Sequence, residues 1–156
     1  MNQRHGFGKL QEPNFTKIGL WRNGKFSGWG RIIFKNGQIF EGKFNDNIVN
    51  GYGVYKYKDV FYIGNFENGI RNGKGVLLTK KFQYKGTFCN GKIAGYGKIV
   101  FIDKNTLEYE YEGSFKENKI EGYGIMIWKN GNMFQGEMKN GKMNGRGRFI
   151  PKEEFQ

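Results

Sequence analysis

A pair of glycines separated by one residue recurs along this chain and constrains its fold more than any other feature. The pairs repeat roughly every 22 or 23 residues, with one interval of about 27. They begin at Gly6, Gly28, Gly51, Gly73, Gly95, Gly122 and Gly145. A fixed period of this length is typical of a repeat protein, in which each unit packs mainly on its neighbours. The pattern therefore predicts one array over residues 4–151, followed by a short polar tail over residues 152–156.

Each repeat unit has the pattern of a β-hairpin. From Phe40 to Phe44, and again from Gly51 to Tyr57, bulky and small residues alternate with the period of two that indicates a half-buried strand,. A glycine between two bulky residues marks the first strand of each unit, at Gly19, Gly42, Gly64, Gly86, Gly113 and Gly136. Rings and glycines share a face, so a ring can cover the space beside a glycine of the neighbouring strand. We expect about thirteen antiparallel strands in total.

Asn-Gly dipeptides predict the tight turns between these strands, because both residues tolerate the positive φ angles of a two-residue hairpin loop. They occur at Asn23-Gly24, Asn36-Gly37, Asn68-Gly69, Asn90-Gly91, Asn130-Gly131 and Asn140-Gly141. Two hairpins lack the glycine and carry Asn47 or Asn118 in its place. Since asparagine enters the left-handed region more readily than most residues, these substitutions support the alignment of the units.

Residues 134–147 (FQGEMKNGKMNGRG) and residues 21–30 resemble the MORN repeat, and the resemblance extends over nearly the whole chain. It implies an all-β fold, a single-layer, twisted antiparallel β-hairpin repeat array shaped as an elongated half-pipe. The chain departs from the pattern at Lys17, where a ring is expected, and at Lys74 and Arg146, which lie between paired glycines. The longer interval falls on residues 103–110, which we expect to form a projecting loop or an extended hairpin tip.

The sequence contains none of the residue clusters that enzymes or metal sites require. His5 is the single histidine and Cys89 the single cysteine, so no Ser/His/Asp triad, paired-cysteine motif or multi-histidine site can be assembled,. We interpret His5 as a turn or strand residue and Cys89 as a solvated turn residue. The paired glycines precede strands rather than a helix and so are not phosphate loops. We expect no catalytic, cofactor or metal site, and therefore no enzyme.

The residues between the paired glycines are the candidate binding residues. They are Trp29, Tyr52, Lys74, Tyr96, Tyr123 and Arg146, preceded by Phe7. Their parity places them on the face opposite Ile32 and Tyr55, about 10 Å apart from unit to unit. One alternative is a groove for an extended peptide or a helix. The other, slightly favoured, is that the rings close a thin core on its second side, with Tyr52 and Tyr96 more buried than Trp29.

The net charge of +12 is consistent with an anionic partner, although lysine also protects exposed sheet edges from self-pairing,. The family resemblance implies a scaffold for protein–protein assembly, plausibly cytoskeletal or ciliary (axonemal). Two alternatives stay open: a peripheral module for anionic lipid or phosphoinositide, and a targeting module of a larger enzyme. Nucleic acid is not expected, since the lysines are dispersed and no recognition module is present. The terminal strands also suggest edge-to-edge association.

We expect a cytoplasmic protein, associated with the cytoskeleton or a cilium. The single cysteine favours a reducing compartment,. The first residues lack the apolar segment of a signal peptide, and no apolar run is long enough to span a bilayer,.

Overall fold

The computed structural model describes residues 3–102 and 109–155 and has the expected all-β fold. Thirteen antiparallel strands form one open sheet in which each strand lies beside its sequence neighbours. The strands are β1 Gly6–Gln11, β2 Phe15–Arg22, β3 Lys25–Phe34, β4 Ile39–Asn45, β5 Ile48–Tyr57, β6 Val60–Glu67, β7 Ile70–Leu78, β8 Phe82–Cys89, β9 Lys92–Phe101, β10 Tyr109–Lys116, β11 Lys119–Trp128, β12 Met133–Lys139 and β13 Lys142–Ile150. The chain groups into two compact units, Met1–Gly75 and Val76–Gln156, which are described separately below.

Two segments outside the regular hairpins need description. The polar tail contains a short 3-10 helix, Lys152–Phe155, and the Lys152 amide donates to Asn132 Oδ1 at 3.2 Å. The loop expected over residues 103–110 is shorter than that, since Tyr109 and Glu110 already belong to β10 and pair with Trp128 and Ile127 of β11. The rest of that loop, residues 103–108, lies outside the described residues.

Two-residue turns of type I′ close the hairpin tips, as the sequence predicted. Both central residues have positive φ, for example 49° at Asn68 and 80° at Gly69,. The assignment of Asn47 and Asn118 to the glycine position is confirmed by φ values of 73° and 65°. The connection through Asn36 and Gly37 differs from this pattern.

In the connections through Asn36-Gly37 and Asn130-Gly131, only the glycine has positive φ, 88° in both cases. The Gly37 amide donates to the Phe34 carbonyl at 2.9 Å, and the Gly131 amide donates to the Trp128 carbonyl at 2.8 Å. These dipeptides therefore lie in longer turns between repeats, and the prediction of a two-residue turn was wrong for them.

The first glycine of the pair lies in a β-bulge in most hairpins, whereas Gly6 pairs regularly with Trp21. Between β4 and β5 the register passes from Gly42 opposite Gly53 to Phe44 opposite Val49, so that β5 carries two extra residues,. Gly51 lies within the bulge with φ of +107°. A side chain added there would meet only Lys43, at 3.4 Å or more, and no ring. The first glycine is thus required by the backbone conformation, and the expectation that it lies under a ring is wrong.

The second glycine of the pair is the one that a ring covers. Gly97 lies opposite Gly86, and the Tyr84 ring covers both, so that a Cβ on Gly97 would lie 2.6 Å from Tyr84 Cε2. Tyr84 is fully buried, and its hydroxyl donates to the Thr87 carbonyl at 3.1 Å. Two other tyrosines repeat this arrangement, with hydroxyl-to-carbonyl distances of 2.9 Å (Tyr62 to Asn65) and 3.2 Å (Tyr111 to Ser114). The predicted packing of rings over glycines is confirmed at these sites.

The first hairpin fills the same space from the other strand. Lys17 stands where a ring is expected, and Phe26 of β3 covers Gly30 instead, with its Cε1 2.9 Å from the position of an added Cβ. Phe26 is fully buried, and Lys17 Nζ lies 5.6 Å from its ring centroid. Burial lowers the pKa of Lys17. The position of Phe26 holds Val49 in the next hairpin, so the larger side chain compensates for the missing ring.

Both units bury one face of the sheet and expose the other. In the first unit the buried apolar residues are Trp21, Phe26, Ile32, Phe44, Val49, Tyr62 and Phe66. In the second they are Leu77, Tyr84, Phe88, Ile93, Ile99, Tyr111, Phe115, Ile120, Met126, Phe134 and Met138. Ring-to-ring contacts connect them, such as Tyr84 to Phe115 at 5.2 Å between centroids. The candidate binding residues project from the opposite face.

Candidate interaction surface

The residue between the paired glycines is exposed in every repeat. The aromatic members expose 76% of Phe7, 58% of Trp29, 51% of Tyr52, 62% of Tyr96 and 56% of Tyr123, and Lys74 and Arg146 are exposed as well. The alternative in which these rings close the core is therefore wrong. The expected gradient is confirmed for Tyr52, which is less exposed than Trp29, and is wrong for Tyr96, which is slightly more exposed.

The strand register explains why these rings are exposed to solvent. Trp29 lies opposite Lys43, and Tyr52 lies opposite Asn65, so each ring has a polar cross-strand neighbour on its own face. In the second unit the neighbours of Tyr96 and Tyr123 are Ser114 and Glu137. We call Trp29 and Tyr52 the first ring row, and Tyr96 and Tyr123 the second ring row. Each row therefore consists of exposed rings whose cross-strand neighbours are polar.

Glu112 restrains one ring of the second row. The Tyr96 hydroxyl donates to Glu112 Oε1 at 3.2 Å. Partial desolvation and this hydrogen bond raise the pKa of Tyr96. The ring is therefore held in one orientation while its surface stays accessible.

Many basic side chains beside the ring rows are already paired with acids. Arg31 contacts Glu41 at 2.5 Å, and Lys98 contacts Glu110 at 2.5 Å. At the hairpin tips, Lys25 and Lys92 pair with Asp46 and Glu117 of the following hairpin. Exposed pairs of this kind contribute at most about 1 kcal/mol each, but they neutralise much of the local charge.

A cleft of about 660 Å³ opens in the first unit beside Trp29. Its walls come from the ends of β2 and β4, and the bulge of β3 lies between them. The lining residues are His5, Gly6, Leu20, Trp21, Arg22, Ser27, Gly28, Lys43, Phe44, Asn45 and Asn50. The sequence analysis did not include Arg22 and Lys43 among the candidate binding residues, although both line this cleft. Strand alternation was the available signal, because Lys43 lies opposite Trp29 and therefore on its face,.

The described residues show no further chemical site. No group of three or more His, Cys, Asp or Glu side chains that could hold a metal lies among residues 3–102 and 109–155. Over the same ranges, no helix is long and apolar enough to cross a membrane. Cys89 is exposed, as its interpretation as a solvated residue predicted, although it ends β8 rather than lying in the turn.

Known proteins share this repeat pattern. The MORN-repeat family matches residues 1–16, 18–39, 40–59, 62–80, 84–106, 111–133 and 134–150. Alsin from Homo sapiens and alsin from Mus musculus are each 34% identical over 55 residues, which is 31% of this chain and 3% of alsin. The chain therefore spans only a small part of the length of these relatives. MORN repeats are generally modules for interaction with proteins or membranes.

Proposed function

This chain belongs to the MORN-repeat family, and we propose that it is a non-catalytic scaffold that binds protein partners through its exposed ring rows. The observation that carries the proposal is the exposure of 51–62% at Trp29, Tyr52, Tyr96 and Tyr123. Large aromatic side chains in water contribute no packing energy, whereas at an interface they are the residues that most often dominate binding. A repeated exposed ring on a rigid sheet therefore suits a partner-binding surface.

The proposal is tested by removing the ring rows and measuring binding and stability together. Trp29→Ala with Tyr52→Ala, and Tyr96→Ala with Tyr123→Ala, should each weaken partner binding by about 2 kcal/mol or more. The free energy of unfolding, measured by urea denaturation, should stay within about 0.5 kcal/mol of the wild-type value, because the rings are exposed. The partner is identified by affinity capture from source cells and then titrated as purified protein.

Ile48→Ala is the matched control, since Ile48 is 47% exposed but lies at a hairpin tip outside the rows. It should change neither affinity nor stability. Partner affinity that is equal for the wild-type chain and both double variants would remove the ring rows from the function.

A membrane role is the second candidate, and the net charge of +12 favours it. Vesicles of phosphatidylcholine and phosphatidylserine should then sediment the protein at low salt, and less of it as salt screens the charge. Retention that persists at high salt and depends on one headgroup would replace the scaffold proposal.

We place the scaffold in a cytoplasmic cytoskeletal or ciliary assembly, as a free protein or as the targeting module of a larger enzyme. Imaging of the tagged protein in source cells checks this location.

A further inference from the structure

We propose that the cleft of the first unit binds an anionic side chain of a partner peptide, while a neighbouring apolar side chain of that peptide packs on Trp29. This inference rests on the proposed scaffold function and specifies the chemistry of the partner. The partner segment is an extended chain in which an Asp, a Glu or a phosphorylated residue lies two positions from an apolar residue, so that both side chains face the sheet.

The cleft is a recess in the sheet surface between β2 and β4. Leu20 and Arg22 project from β2, Lys43 and Asn45 project from β4, and the β3 bulge lies between the two strands. The bulge interrupts the regular pairing of β2 with β3, because the register passes from Gly19 opposite Gly30 to Trp21 opposite Phe26,. The recess is therefore part of the backbone geometry and does not depend on a flexible loop.

The charge of the cleft is one-sided. Its lining includes Arg22 and Lys43 and no acidic residue. Among residues 3–102 and 109–155, neither of these two side chains forms a hydrogen bond or an ion pair. Arg31 on the same face is instead neutralised by Glu41. Two cations facing one recess without a counter-charge favour an anion there.

Further polar groups line the same recess. Ser27, Asn45 and Asn50 offer hydroxyl and amide groups that suit the peptide groups of a bound chain,. Trp21 also lines the cleft, but its buried Nε1–H lies beside Gly8, which is not part of the lining.

Trp29 makes the site fit a peptide better than a membrane. It follows Gly28, which lines the cleft, and lies opposite Lys43, so an apolar surface borders the cationic recess. Side chains two positions apart in an extended peptide lie on the same side of it, roughly 7 Å apart, close enough to reach both features. A bilayer surface would instead need charge spread over a broad face, where Glu41 already neutralises Arg31.

The second unit lacks this combination. The positions equivalent to Lys43 hold Ser114 and Glu137 there, and the position equivalent to Arg22 beside β9 holds Cys89. A side chain on the bulge glycine Gly145 would meet the Glu137 carboxylate, which would repel an anion. The inference therefore applies to the first unit.

A random-peptide phage library tests the proposal even while the natural partner is unidentified. Selection on the folded wild-type chain should enrich peptides that share an acidic residue two positions from an aliphatic or aromatic one. A selected peptide, made with a fluorescent label, should bind about tenfold more weakly to Arg22→Gln and to Lys43→Gln, since each variant removes one charge-assisted contact. Its affinity should also fall as salt is raised. Circular dichroism checks that each variant is folded.

The control is the double variant Lys9→Gln with Lys56→Gln, which removes two positive charges, one more than either cleft variant, from exposed positions outside the cleft. It should bind the peptide within about twofold of the wild-type chain. Peptides without a shared acidic residue, or equal binding to the cleft variants, would overturn the inference. Vesicle binding that depends on Arg22 and Lys43 without acidic peptide selection would overturn it in favour of a membrane. If partner binding is lost in Trp29→Ala with Tyr52→Ala but kept in the cleft variants, the scaffold function stands and this inference fails.

Discussion

At the scale of single residues, the two glycines of each pair have different physical roles. The first, such as Gly95 with φ of +67°, supplies a backbone conformation that side chains disfavour,. The second, such as Gly97, has no side chain because the Tyr84 ring occupies the adjacent space. That ring cannot move aside, since Phe88 and Phe115 pack on it with centroids at 5.3 and 5.2 Å.

Replacing Gly97 with alanine should therefore destabilise the protein by about 1–3 kcal/mol, as expected for overpacking in a filled core. Gly8→Ala is the matched control, because a Cβ there would meet Trp21 at an ordinary 3.7 Å. It should stay within about 0.5 kcal/mol of the wild-type chain. Urea denaturation measures both values, and equal effects at the two positions would contradict the role assigned to the ring. The sequence pattern had suggested Gly53 as an equivalent site. Phe40 contacts Tyr55 instead of covering that glycine, so Gly53 is a weaker test.

At the scale of hairpins, tips within each unit are hydrogen-bonded to the hairpin before them. The Asn47 amide donates to the Phe26 carbonyl at 2.8 Å, and the Gly69 amide donates to the Val49 carbonyl at 2.8 Å. Where asparagine replaces glycine, its side chain adds a second bond, from the Phe26 amide to Asn47 Oδ1 at 3.1 Å. Asn118 does the same for the Ile93 amide at 2.8 Å. The tips thus connect consecutive repeats as well as reversing the chain.

Asn118→Gly should cost about 1 kcal/mol, because it keeps the positive φ and loses only the side-chain hydrogen bond. Asn118→Ala should cost more, since it loses the bond and places a Cβ in the left-handed region. Thermal denaturation of both variants and of the corresponding Asn47 pair measures the difference. Glycine variants that are less stable than the alanine variants would contradict this account.

At the scale of the whole molecule, the buried tyrosines make stability depend on alkaline pH. Burial raises the pKa of Tyr62, in the first unit, and of Tyr84, in the second, to about 12. An unfolded tyrosine ionises near pH 10, so between about pH 10 and 12 the unfolded chain binds fewer protons than the folded chain. Stability from these groups is therefore complete below about pH 10 and is lost as pH rises toward 12.

The melting temperature should accordingly fall more steeply above about pH 10 than below it. The double variant Tyr62→Phe with Tyr84→Phe should show a less steep fall. At neutral pH its free energy of unfolding should be lower by about 1 kcal/mol for each hydroxyl hydrogen bond that is lost. Tyr123→Phe, at an exposed ring, is the control and should leave the pH profile unchanged. An identical alkaline profile in the double variant and the wild-type chain would rule out the buried tyrosines as its origin.

Local patterns alone determined the repeat period, the strands, most of the tips and the covered glycines. Each of these depends on residues close together in the chain or on the alternation of one strand. Positive φ at Asn47 follows from turn chemistry, and the burial of Tyr84 follows from its spacing to Gly86,. The residues between the paired glycines could be assigned to one face by the same alternation.

Only the tertiary structure decided whether that face is exposed to water and which side chains come together on it. Two extra residues at each bulge set the register between strands, and no single strand records that register,. The exposure of Trp29, the substitution of Phe26 for the ring missing at Lys17, and the approach of Arg22 and Lys43 to one cleft all depend on it. Pairing between strands is a non-local interaction, so its consequences appear only when the neighbouring strands are in place.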